Sequence, residues 1–141
     1  MPVSDSPIHA FLAAMATPDL DAALSLFAPE PTLGTAFGVE ATGLKDVKRE
    51  LGNYFAELRS AEHDVRSEWH PEPGVWIAEL TATYELTDFS KRGPYRRAII
   101  VRAEDDGIHE LRIFGAHELR LSEGGLTYKD VRGPHGWLPT L

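Results

Sequence analysis

Cysteine is absent from the 141 residues, which removes disulfides, thiolate nucleophiles and Cys-based zinc or iron–sulfur centres and leaves stability to packing alone. Positive charge is scarce: 14 Lys and Arg stand against 22 Asp and Glu, a formal net charge of −8. Without clustered cations, neither nucleic acid nor an anionic membrane surface is an expected partner. Long apolar runs are missing too. Clusters such as Ala98–Val101 fall far short of the roughly 18 residues a spanning helix needs. Met1–Ser6 has no basic stretch and Ala10–Ala16 lacks signal-peptide flanks, so the expected location is the cytoplasm. The six His form no H-E-x-x-H, and there is no calcium-loop ladder of acids, so no metal is expected. Phosphate-loop and dinucleotide-binding glycine motifs are equally absent, and no cofactor is expected.

What is present suits one globular domain. The chain is 43% apolar, and a domain of about 150 residues buries roughly 70% of its unfolded surface. Three helices are predicted first. Ser6-Pro7 is a start signal, followed by Ile8, Phe11, Leu12 and Met15 on one helical face. Thr17-Pro18 repeats the signal, and Leu20, Ala23, Leu24 and Phe27 trace a second stripe that Pro29-Glu30-Pro31 stops. An irregular Gly-containing stretch then runs to Gly43. The third helix turns Leu44, Val47, Leu51, Tyr54, Phe55 and Leu58 inward.

From His63 the hydrophobic period changes from 3.6 to 2, which predicts strands over about 63–69, 75–87, 95–103 and 108–121, separated by turn-forming residues. Long strands with short connections, and helices gathered at one end of the sequence, predict an α+β domain over 1–121 with a bent, mostly antiparallel four-stranded sheet. Residues 122–141 read as an extended tail packing on the domain or on a partner chain, with Trp137, Leu138 and Leu141 as its apolar contacts.

Three stretches carry a family resemblance: Pro18-Asp19-Leu20-Asp21-Ala22-Ala23-Leu24-Ser25-Leu26-Phe27, Gly43 opening the third helix, and Asp106-Gly107-Ile108-His109-Glu110-Leu111-Arg112-Ile113-Phe114. In this order and spacing the chain resembles the nuclear transport factor two-like superfamily, in its SnoaL-like and ketosteroid-isomerase-like branch. The resemblance implies a cone in which the sheet wraps the helices around an apolar pocket for a small hydrophobic ligand, and pairing of two copies through the outer sheet face. It does not fix the activity, because the superfamily includes isomerases, cyclases, dehydratases, epoxide hydrolases and non-catalytic binders. The positions of the steroid isomerases' Tyr and two Asp fall near Phe11, Gly34 and Ala98-Ile99-Ile100, none of which keeps that chemistry. The catalytic Asp of the cyclase and epoxide-hydrolase relatives falls on Ala116, beside His117.

Strand alternation sorts the faces independently of the family. The more apolar sets are His63, Val65, Ser67 and Trp69 on the first strand; Trp76, Ala78, Leu80, Ala82, Tyr84 and Leu86 on the second; Tyr95, Arg97, Ile99, Val101 and Ala103 on the third; and His109, Leu111, Ile113, Gly115, His117 and Leu119 on the fourth. If these face the cone, its polar members include His63, Tyr84, Tyr95, Arg97, His109 and His117, and polar groups converging in an apolar cavity mark a ligand site. His117 is the candidate base, turned inward by a bulge at Gly115. Arg97 is the candidate oxyanion partner and Tyr84 a hydrogen-bond donor. Each has a structural alternative: a core histidine, an Arg97–Glu79 cross-strand pair, and a packed aromatic ring. Phe11, Met15, Tyr54 and Phe55 from the helices are expected to line the pocket, with Phe27 from the end of the second helical stripe and Phe37 from the connection after it. Trp69, Trp76, Ile99, Ile113 and Phe114 complete that lining from the strands. Glu110 and Arg112 offer either an acid–Arg pair or, with Arg102 and Glu104, a charge ladder on the outer face. Catalysis, where present, is expected to be metal-free acid–base chemistry. The alternative is a binding or interaction module that has lost the family's acids.

Overall fold

The computed structural model describes residues 6–35, 38–115, 117–122 and 125–130, with side chains described for 6–34 and 40–115. Helix α1 (Pro7–Ala16) begins where the Ser6 hydroxyl accepts the Ile8 N–H at 3.2 Å, and it buries Ile8, Phe11, Leu12, Ala14 and Met15. Helix α2 (Leu20–Leu24) is capped by the Asp19 carboxylate, which accepts the Ala22 N–H at 3.0 Å. It is shorter than the predicted stripe, because Phe27 already opens a strand. Helix α3 (Leu44–Glu57) buries Val47, Leu51, Tyr54 and Phe55. Leu44 in its first turn is 40% exposed, and Leu58, also predicted on this face, is buried as the first residue of the next strand.

The sheet has six strands rather than four: β1 (Phe27–Thr35), β2 (Gly38–Thr42), β3 (Leu58–Glu72), β4 (Val75–Leu86), β5 (Lys91–Glu104) and β6 (Gly107–Phe114). Their order is β2-β1-β6-β5-β4-β3, antiparallel except for the parallel pair β1 and β6. The two additional strands occupy the stretch that reads as irregular in sequence. Pro29 and Pro31 hide β1 there, since proline lacks a ladder N–H. Both fall where the β1–β6 register is interrupted, between Phe27 and Thr32.

Helix α1 packs against β3, β4 and β5, and α3 against β1, β2 and β3, all on one face of the curled sheet. That face contributes Ala78, Leu80, Ala82 and Tyr84 from β4, Tyr95, Ile99 and Val101 from β5, and Ile108 and Leu111 from β6, each at most 6% exposed. All but Ile108 belong to the predicted inward sets; Ile108, of the opposite parity, is brought inward opposite Ala103.

Two bulges overturn the prediction elsewhere. On β3, Val65 pairs with Leu80 but Ser67 with Glu79, so Arg66 is an extra residue and the parity reverses beyond it. Glu68, opposite Ala78, is thereby carried to the inner face, where it meets His9 of α1 at 2.7 Å. Trp69 lies opposite Ile77 on the outer face, 49% exposed. On β6, Arg102 pairs with Glu110 but Ala103 with Ile108. His109 is the extra residue, and it leaves the cone for the β5–β6 turn.

The predicted final strand is also broken. β6 ends at Phe114, Gly115 adopts φ +94°, and β7 (His117–Ser122) pairs with β8 (Gly125–Asp130) in a separate two-stranded sheet. The parity of β6 therefore does not carry through to His117. β8 lies within the stretch read as a tail, while Phe37, Ala116, Trp137, Leu138 and Leu141 lie outside the described residues.

Candidate functional site

The interior of the cone holds a cavity of about 20 Å³, enough for roughly one water molecule. Its walls are Leu12 and Met15 from α1, Tyr54 from α3, His63 from β3, Leu80 and Tyr84 from β4, Arg97 and Ile99 from β5, and Ile113 from β6. The space is small because rings fill it. Tyr84 stands edge-on to Tyr54 at 6.2 Å between centroids and to His63 at 6.5 Å, and stacks on Tyr95 at 6.3 Å.

Four of the lining groups are polar. The Tyr54 hydroxyl is hydrogen-bonded to Tyr84, and burial pushes its pKa well above the ordinary tyrosine value, with Tyr84 reinforcing the shift. Burial lowers His63 from 6.5 to about 4, so its ring is neutral at pH 7.

Arg97 is 5% exposed. Its Nη1 donates to the Gly115 carbonyl and, at 3.1 Å, to that of Arg96. Its guanidinium carbon lies 4.9 Å from the centre of the Tyr95 ring. The alternative pairing with Glu79 does not form: Glu79 is opposite Ala98, one position out of phase with Arg97, and therefore on the outer face. Among the described residues no carboxylate lies within ion-pair distance of Arg97.

Gly115 makes the contact with Arg97 possible. A Cβ built there would stand 2.4 Å from the Arg96 carbonyl oxygen, a separation no side chain tolerates, so only glycine lets this backbone approach β5 so closely.

The remaining candidates scatter. Met15, Tyr54, Tyr84, Arg97, Ile99 and Ile113 meet at the cavity. Phe11 and Phe27 form an edge-to-face pair at 6.4 Å within the core, and Phe55 packs beside Tyr54; none of the three lines the cavity. Trp76 stacks under His70 at 4.5 Å and borders a separate, open groove of about 620 Å³ with Pro7, Leu26 and Ala103. Phe114 pairs with Ala98 on the outer face, under the Arg112 guanidinium at 5.1 Å. The backbone of His117 pairs with Asp130, and its side chain lies outside the described set.

On the outer face Arg102 reaches Glu110 at 3.9 Å and Glu72 at 4.0 Å, part of the expected ladder. Glu104 turns instead to His109, at 3.1 Å, and Asp106 approaches the same imidazole nitrogen at 2.6 Å. Among the described residues these three form the one cluster whose donor types would hold a cation. Their E-x-D-x-x-H spacing matches none of the motifs sought in the sequence.

No family model matches the sequence, and no curated protein matches it either. Solved structures do. A protein of ketosteroid isomerase-like fold from Catenulispora acidiphila, in complex with trimethylamine, is 14% identical with a TM-score of 0.65, the match covering 96% of this chain and 95% of that one. An NTF2-like protein of unknown function from Exiguobacterium sp. 255-15 is 16% identical with a TM-score of 0.61, covering 77% of this chain and 96% of that one. TerC, co-crystallised with polyporic acid, is 13% identical with a TM-score of 0.60, covering 76% and 86%. At these identities the likeness is one of architecture: the chain has the nuclear transport factor two-like fold, in the ketosteroid-isomerase-like form its sequence resembles.

Proposed function

We propose that the chain binds a small, mainly apolar molecule inside the cone and acts on it by metal-free acid–base chemistry. The observation that carries the binding is the meeting of Tyr54, His63, Tyr84 and Arg97 in an otherwise apolar cavity, the composition expected of a ligand site. Structures of the same fold with trimethylamine or polyporic acid support it. Ligand pockets usually offer about 300 Å³ or more, so entry requires Tyr84 and Met15 to swing aside. The unbranched thioether of Met15 makes such repacking easy.

In the chemical step Arg97 and the Tyr84 hydroxyl stabilise negative charge developing on a ligand oxygen, and His117 takes the proton. His63, with its low pKa, is too weak a base at neutral pH to serve instead. Two copies pair through the outer sheet face, where Ile77 lies opposite Ile100 and Ala98 opposite Phe114.

A thermal-shift screen with steroids, aromatic polyketides, terpene epoxides and fatty acids tests the binding. A ligand at about 100 times its Kd adds roughly 2.7 kcal/mol of stability, several degrees for a domain of this size. Silence across the panel at millimolar concentration overturns the binding. With a ligand in hand, His117→Ala is expected to abolish turnover and leave affinity and Tm unchanged. Turnover that survives removes His117 as the base. A wild-type protein that binds without turnover is the non-catalytic module.

A further inference from the structure

We infer that the molecule held in the cone is an organic carboxylate, and that Arg97 is its counter-ion; this rests on the reading that the cone binds a small molecule. The guanidinium is permanently charged, and water is almost completely withdrawn from it, since Arg97 is 5% exposed. A buried charge is tolerated when it is paired. Arg97 has two backbone carbonyls on Nη1 and an aromatic face, but no carboxylate partner among the described residues.

The groups around it supply no negative charge at neutral pH. His63 is uncharged there, Tyr54 keeps its proton, and Leu12, Met15, Leu80, Ile99 and Ile113 are apolar. The cavity therefore carries one uncompensated positive charge beside two phenol hydroxyls. An amine would be repelled, and a neutral ligand would leave the charge as it is. A carboxylate neutralises it, takes the guanidinium as a two-pronged donor, and leaves the phenols to cap whichever oxygen lone pairs remain.

Matched acids and amides of the same shape isolate the charge. Benzoate, 2-naphthoate and decanoate are titrated calorimetrically into the full chain alongside benzamide, 2-naphthamide and decanamide. At least one acid is expected to bind tenfold or more tightly than its amide. Arg97→Met is expected to collapse that ratio to near one, and Arg97→Lys to restore part of it. The wild-type ratio needs no variant, so the test stands even if Arg97→Met does not fold. An amide that binds as tightly as its acid overturns the carboxylate assignment and leaves the cone a binding site. A ratio unchanged in a folded Arg97→Met protein overturns Arg97 as the counter-ion. No binding by any of the six compounds at millimolar concentration overturns the carboxylate class, and the uncharged steroids and terpene epoxides of the thermal-shift panel then decide separately whether the cone binds at all.

Discussion

An imidazole that stays neutral well below its usual range makes folding depend on pH. His63 titrates near 4 in the folded chain against 6.5 unperturbed, because burial penalises its charged form. Between these values the unfolded chain binds a proton that the native one refuses, so stability rises with pH through this window and is lost as pH falls. The shift corresponds to at most about 3 kcal/mol, less for the part of the ring that water still reaches. His63→Gln is expected to flatten the loss. Urea denaturation of both proteins at pH 4.5 and 7.5 checks this, since the other titrating groups cancel in the comparison. An equal loss in the variant would place the pH dependence elsewhere. At this scale the sequence was informative where alternation is unbroken. Tyr84 and Arg97 fall inside as their strand parity predicts, whereas Trp69 and His109 do not, because a bulge is set by the register of the neighbouring strand, and a single strand's pattern carries no record of it.

Two glycines hold elements in place for different reasons. Gly43 precedes α3 with φ +86° and ψ 153°, a region that only glycine enters freely. The nearest atom to a Cβ there is 3.8 Å away, so the restriction is conformational alone. Gly115 adds a steric conflict with the backbone of β5. Gly43→Ala is therefore expected to cost about 1–3 kcal/mol, and Gly115→Ala clearly more, while also displacing the carbonyl that Arg97 holds. Chemical denaturation ranks the two, and equal costs would show that the backbone at Gly115 moves away freely. Helix α3 and strands β4 and β5 are legible in sequence because each is long and periodic, and α1 because Ser6-Pro7 marks its start. β1 is not, because its pairing with β6 lies far away along the chain and its prolines imitate a loop.

For the whole molecule, the outer sheet face tests the proposed dimer. Ile77 and Ile100 are paired and partly exposed there, ringed by Glu79, Arg102 and Arg112. Ile100→Asp is expected to convert a dimer to a monomer at micromolar concentration with little change in the cone, as sedimentation would show. A wild-type chain that already sediments as a monomer removes the dimer.

The parallel seam between β1 and β6 also sets a timetable. Phe27 meets Ile108 and Leu33 meets Leu111, so during synthesis β1 waits for nearly the whole of the described sheet to be made. At ~5–20 residues per second this is an interval of several seconds. Through it the future seam is an open strand edge, of the kind that recruits foreign strands. The stretch through Pro29 and Pro31 has no partner on β6, which pairs at Phe27 and again from Thr32, and the Pro31 carbonyl faces the Gly43 N–H on the β2 side at 2.8 Å. That edge is closed only when β6 leaves the ribosome and takes its place beside β1.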